Sequence, residues 1–147
     1  MTSPKHCIGA GVAVLRDGRL LLVRRADNGL WDIPGGRVEP GERVEPGERV
    51  EDTARRELHE ETSLSGGTLT LLGVFSGPRH RHTYPDSNVV DSNVVDGVTV
   101  LFVSPDARGT ARAADDAAGV RRWPLSDLPA NISPATGAYF MNLRGAQ

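Results

Sequence analysis

The run Arg56-Glu57-Leu58-His59-Glu60-Glu61 sets three carboxylates at positions i, i+3 and i+4. On a helix advancing about 100° per residue, Glu57, Glu60 and Glu61 project from one side as near neighbours. Val50, Ala54 and Leu58 form the apolar stripe of the same helical wheel, with Glu57 and Glu61 beside it. Asp52, Arg55 and His59 take the opposite side, where a merely solvated helix would keep its acids. The spacing therefore predicts glutamates that face inward.

Two carboxylates about 4 Å apart at an effective dielectric near 20 repel by roughly 4 kcal/mol, so a cation is expected among them. Arg56 supplies one positive charge, but from well round the wheel relative to Glu61. A divalent ion satisfies several carboxylate oxygens at once. Oxygen donors without cysteine or suitably spaced histidine select Mg²⁺, Mn²⁺ or Ca²⁺ over zinc. The competing reading is a solvated charged helix laced by pairs such as Glu51 to Arg55, and it accounts for the outer face only.

These residues resemble the signature of the Nudix hydrolases, G-x5-E-x7-R-E-U-x-E-E-x-G-U with U aliphatic. Gly36, Glu48, Arg56, Glu57, Leu58, Glu60, Glu61 and Leu64 match it, and Leu30-Trp31-Asp32-Ile33-Pro34-Gly35-Gly36 resembles the family's usual lead-in. Two departures stand out. Ser63 occupies a position where the family has glycine, near a helix end where glycine eases a left-handed turn, which predicts a cost in stability and not in chemistry. The other is a duplication: RVEPGE runs from Arg37 to Glu42 and again from Arg43 to Glu48. Gly36 to Glu42 keeps the x5 spacing and Glu48 to Arg56 keeps the x7 spacing, and no single glutamate keeps both.

The resemblance implies one α/β domain over residues 1–147, a Nudix-like α/β/α sandwich in which a mixed sheet lies between helices. It further implies a pyrophosphohydrolase, dependent on Mg²⁺ with Mn²⁺ as substitute, that cleaves a nucleoside diphosphate linked to another moiety, ADP-sugars being one example. The alternatives are a house-cleaning pyrophosphatase for nucleoside triphosphates and a non-catalytic ligand-binding domain. Glu57 and Glu61 are then the metal ligands, Glu60 is ligand or base, and a backbone carbonyl at Gly36 joins the metal shell. Arg56 orients the carboxylates, with Glu48 as a further acid beside it. Asp116 falls where many members carry an acid that reaches back to the metal, although a surface aspartate is the reading preferred for it.

The elements that must position these residues are legible in outline. Ile8–Leu15 and Leu20–Val23 read as strands around a tight Asp17-Gly18 turn. Arg24 and Arg25 follow the second strand, and Arg25 either meets substrate phosphate or is a solvated strand-end cation. Pro34-Gly35-Gly36 cannot continue a regular element and lets the backbone pass close to a ligand. Thr68–Phe75 and Val98–Val103 read as strands, joined by a long loop from Ser76 to Gly97 of the kind that is often functional. That loop carries Arg79-His80-Arg81-His82 and Tyr84, a cluster fit to grip phosphate or stack a base, or else a solvated segment with Tyr84 as its anchor. It also holds a second perfect tandem repeat, DSNVV at 86–90 and 91–95, and neither repeat has a solenoid period. Val120–Leu128 reads as a late strand running into a short helix, and Pro134–Leu143 as a terminal helix with Tyr139 and Phe140 inward.

At 147 residues, 38% hydrophobic and 24% charged, the chain is sized for one domain with a real core. A net charge of −2 and the lack of a long basic run argue against duplex nucleic acid or an anionic membrane as partner. The expected partner is a nucleotide-type small molecule, and a homodimer is left open. Cys7 is the single cysteine, which excludes an intramolecular disulfide and fits a reducing compartment. With no apolar run of spanning length and no apolar segment at the N-terminus, a cytoplasmic location is expected.

Overall fold

The structure, a computed structural model, describes residues 5–36, 49–65, 67–83, 94–112 and 117–145. Strand β1 (Lys5–Arg16) turns back into β2 (Arg19–Arg25) through Asp17 and Gly18, whose φ angles of 53° and 72° are those of a two-residue hairpin. That turn fixes the register Leu15 to Leu20 and Arg16 to Arg19, as the Asp-Gly pair predicts. Short strands β3 (Trp31–Asp32) and β4 (Gly35–Gly36) follow, then helix α1 (Val50–Thr62). The remaining elements are β5 (Thr70–Phe75), a 3-10 turn at Pro78–His80, β6 (Arg81–Thr83), β7 (Val94–Ser104), β8 (Ala117–Pro124) and α2 (Pro134–Gly145).

The sheet is mixed and runs β3-β2-β1-β7-β5, with β4 on β1, β6 on β7 and β8 on β2. β1 and β7 are parallel over ten registered pairs from Lys5–Val95 to Val14–Ser104, while β2 runs antiparallel to β1. Alternation along β1 then decides which helix each side chain meets. Ala10, Val12 and Val14 join Ala54 and Leu58 of α1, whereas Ala13 and Leu15 join Ala135, Tyr139 and Leu143 of α2. Both faces are covered, so the central strands are apolar at consecutive positions rather than at every second one. This is the α/β/α sandwich expected.

Ser133 caps α2 by accepting the Thr136 amide on its hydroxyl at 3.3 Å, with Pro134 in the first helical position, where its missing N–H costs nothing. α1 ends at Ser63, which adopts the left-handed conformation (φ 66°, ψ 2°) while its N–H donates to the His59 carbonyl.

Several expectations are corrected. The connection from Ser76 to Gly97 is not one open loop: β6 pairs antiparallel with the first residues of β7, Arg81 to Asp96 and Thr83 to Val94, so the second DSNVV copy ends within a strand. His80 is not part of a solvent-facing cationic cluster but is 3% exposed, because the rings of Phe75 and Tyr139 close over it. Leu125–Asp127 forms a turn in place of the short helix, since Leu125 N–H donates to Gly18 and Asp127 N–H to Pro124. Gly35 and Gly36 do form a regular element, a two-residue strand against Gly11 and Ala10. Tyr139 points inward, but Phe140 stays half-buried under the Arg144 guanidinium. No described helix is long and apolar enough to cross a membrane.

Candidate active site

Burial of Ala54 and Leu58 against the sheet sets the rotation of α1, and that rotation decides where the acids go. Glu57 and Glu61 turn toward β4. Glu57 lies so close to Gly36 that a Cβ built there would stand 2.6 Å from its carboxyl carbon. Glu61 accepts the Gly35 N–H on Oε2 at 2.8 Å. The helix is thus latched to the Gly-Gly strand by one acid and packed against it by the other. Gly35 needs its bare backbone for a separate reason, since a Cβ there would stand 2.7 Å from the Ala10 carbonyl and from Gly11 Cα.

The inward-facing triad is corrected to an inward pair. Glu60 has its side chain 43% exposed, against 21% for Glu57, because i+3 from Glu57 lies on the rim of the buried arc. Arg56 joins the two: its Nη1 donates to Glu57 Oε1 at 3.0 Å and reaches Glu60 Oε2 at 3.3 Å. Glu48, Tyr84 and Asp116 lie outside the described residues.

Burial pushes the Glu61 carboxyl up from 4.5 to about 8. The Gly35 hydrogen bond and Arg25 act against this, while the negative charges of Glu57 and Asp32 reinforce it. An acid so placed favours any species that brings positive charge to it.

Glu61 opens on a cleft between β1, β2, β4, β7 and α2. Arg25, Asp32, Thr99 and the Gly35-Gly36 backbone supply polar lining, and Val23, Leu101 and Tyr139 supply apolar wall. Arg25 is therefore at the cleft, as its position after β2 suggests, with its guanidinium held by both oxygens of Asp27 at 2.9 and 2.8 Å. Arg79 is exposed at the 3-10 turn and does not line the cleft.

Asp32 is the cleft residue that sequence reasoning passed over. It stood in the recognised lead-in, but its partner Thr136 comes 104 residues later: the Thr136 hydroxyl donates to Asp32 Oδ1. The Asn131 carbonyl accepts the Trp31 N–H at 3.0 Å and the Ser133 N–H donates to the Trp31 carbonyl at 2.8 Å, so the chain entering α2 holds β3 in place.

The donor set fits a hard divalent cation. Among the described residues no three acidic, imidazole or thiol groups converge to hold an ion by themselves. Mg²⁺ is commonly held by one or two carboxylates, with water and substrate oxygens completing its shell, and Glu57 and Glu61 are such a pair.

A family model described as the NUDIX domain matches residues 5–143. The chain is 43% identical over 104 residues to a putative 8-oxo-dGTP diphosphatase of Bacillus subtilis (strain 168), covering 66% of this chain and 66% of that one. It is 32% identical over 117 residues to an ADP-ribose pyrophosphatase of Methanocaldococcus jannaschii, covering 78% of this chain and 59% of the relative. The chain thus spans less than two thirds of both curated relatives. Its fold is similar to that of the MutT NUDIX hydrolase of Burkholderia pseudomallei, with a TM-score of 0.72 and 26% identity, covering 95% and 98% of the two chains.

Proposed function

Because this chain belongs to the Nudix family, we propose that it hydrolyses the phosphoric anhydride bond of a nucleoside diphosphate linked to another moiety, with Mg²⁺ as the preferred cation and Mn²⁺ as a substitute. The observation that carries this reading is the half-buried Glu61 carboxyl, latched to Gly35 beside Glu57 and facing a cleft. Glu57 and Glu61 would hold the ion together with backbone oxygen at Gly36, and Glu60 is either a further ligand or the base. When bound, the ion supplies positive charge to the diphosphate and makes water at the site more acidic.

The protein's own groups do the positioning. Arg56 holds Glu57 and Glu60 through charge-assisted hydrogen bonds and limits their freedom to swing. Arg25, at the cleft and braced by Asp27, supplies a cation for a phosphate oxygen. In the reaction the oxygen of water joins phosphorus, the bridging P–O bond breaks, and the proton of water passes to a glutamate carboxylate.

A nucleoside triphosphate as substrate is the second reading. It is favoured by the 43% identity to a putative 8-oxo-dGTP diphosphatase. The test is a rate panel of nucleoside diphosphate sugars, dinucleoside polyphosphates and nucleoside triphosphates with Mg²⁺, with Mn²⁺ and with chelator. Cation-dependent hydrolysis of at least one class is expected; its absence throughout would overturn the proposal.

A further inference from the structure

His80 is not among the residues that line the cleft, but its ring lies against that of Tyr139, which is. The two ring centroids are 5.5 Å apart with planes 27° from parallel, a stacked pair. Phe75 completes the group, edge-on to Tyr139 at 4.6 Å and tilted toward His80 at 6.3 Å. His80 and Tyr139 are each 3% exposed. Tyr139 therefore offers the cleft only a small part of its surface, and its place there is set by the rings packed on it.

The backbone fixes the imidazole as firmly as the rings do. The His80 N–H donates to the Gly77 carbonyl at 2.9 Å and closes the 3-10 turn, with Gly77 at a φ of 105° that glycine takes without strain. The His80 carbonyl comes so close to β7 that a Cβ on Gly97 would stand 2.8 Å from it. Arg81, the next residue, is already paired with Asp96 of β7. A bare Gly97 thus lets the turn press on the sheet, and the turn delivers the imidazole to α2.

We infer that His80 is a positioning residue for substrate, because its flat ring holds Tyr139 in the wall on which the organic part of the nucleotide rests. This rests on the nucleotide-hydrolysing role proposed above. There Arg25 and the cation-binding pair Glu57 and Glu61 take the diphosphate, so Val23, Leu101 and Tyr139 face the rest of the ligand. Without the stack, the Tyr139 ring gains freedom that binding must remove again, which lowers affinity about 3- to 10-fold. The diphosphate and its water are untouched, so the loss falls on KM and not on kcat.

Three substitutions separate a flat support from simple filling of space. His80→Ala should raise KM about 3- to 10-fold with kcat within about twofold of wild type. His80→Phe restores a planar ring and should bring KM back near the wild-type value. His80→Leu fills much of the volume without a flat face and should leave KM raised. Melting curves accompany each variant, and rates are taken well below the lowest midpoint. Partial unfolding lowers apparent kcat and leaves KM alone, the reverse of what a misplaced wall does.

Unchanged KM in His80→Ala, a loss confined to kcat, or recovery by leucine equal to that by phenylalanine would overturn the inference. If His80→Ala does not fold, the comparison of His80→Leu with His80→Phe decides. If wild-type protein hydrolyses no nucleotide, the proposed function fails separately, and calorimetry with AMP and GMP decides on His80. Weaker binding of either nucleotide to His80→Leu than to His80→Phe and wild-type protein supports it. Equal binding to all three, or none to wild-type protein, sinks it.

Discussion

Glu61 combines a positional demand with an electrostatic cost. Its carboxyl is raised from 4.5 to about 8, so between those limits the folded, metal-free protein keeps a proton that the unfolded chain releases. Stability of the metal-free protein should therefore fall as pH rises from about 4.5 to about 8. In Glu61→Gln that decline should flatten, because the amide keeps an acceptor for Gly35 and carries no charge. The same change should lower turnover by orders of magnitude, so activity and metal-free stability move in opposite directions. Chemical denaturation at a series of pH values, paired with rates at saturating substrate, measures both. Near-wild-type turnover in Glu61→Gln would remove that residue from the proposed machinery.

At the scale of elements, the two-residue strand β4 joins helix to sheet, and its two glycines are constrained by different neighbours. A side chain at Gly35 would meet the backbone of Ala10 and Gly11, which cannot yield without breaking the sheet pairing. Gly35→Ala should cost about 1–3 kcal/mol of stability. At Gly36 the obstacle is the Glu57 side chain from Cγ outward, which can change rotamer by giving up its contact with Arg56. Gly36→Ala should therefore leave melting nearly unchanged and lower kcat on the order of 100-fold, through misplacement of Glu57. If Gly36→Ala melts much lower but turns over normally, Glu57 is not a site residue. The C-terminus of α1 gives a simpler case. Ser63 is in the left-handed region, so Ser63→Gly should raise stability by about 1 kcal/mol with kcat unchanged, as measured by denaturant titration. The sequence made that position legible, as it did the rotation of α1, because both depend on residues within one or two turns of each other. It was less informative where partners are remote. Glu60 belongs to the triplet of spacings, but the buried arc of α1 runs from Thr53 through Ala54 and Leu58 to Thr62, and Glu60 falls just outside it. His80 has the composition of a surface loop and is buried only because Tyr139 reaches it from α2. Asp32 depends on Thr136 in the same way.

At the scale of the whole molecule, the site is held by contacts on both sides of the duplicated RVEPGE segment. Gly35 and Gly36 are fixed by β1, and Glu57 and Glu61 by the packing of Ala54 and Leu58 on the sheet. The duplicated segment, residues 37–48, lies outside the described residues. A connection between two fixed ends tolerates extra length at small entropic cost, since each doubling adds only about 0.6 kcal/mol. The register that matters chemically is the one within the helix and its approach, where Glu48 keeps the x7 spacing to Arg56. A variant lacking Arg37–Glu42 should therefore fold and hydrolyse at least as well as the full chain. By the same reasoning Glu48→Gln should lower kcat more than Glu42→Gln, because only the former lies at the spacing from which an acid would meet Arg56. The comparison takes the three variants and the full chain, their melting temperatures and their rates with one saturating substrate. Loss of activity in the deletion, or greater damage from Glu42→Gln, would make the first copy part of the working site.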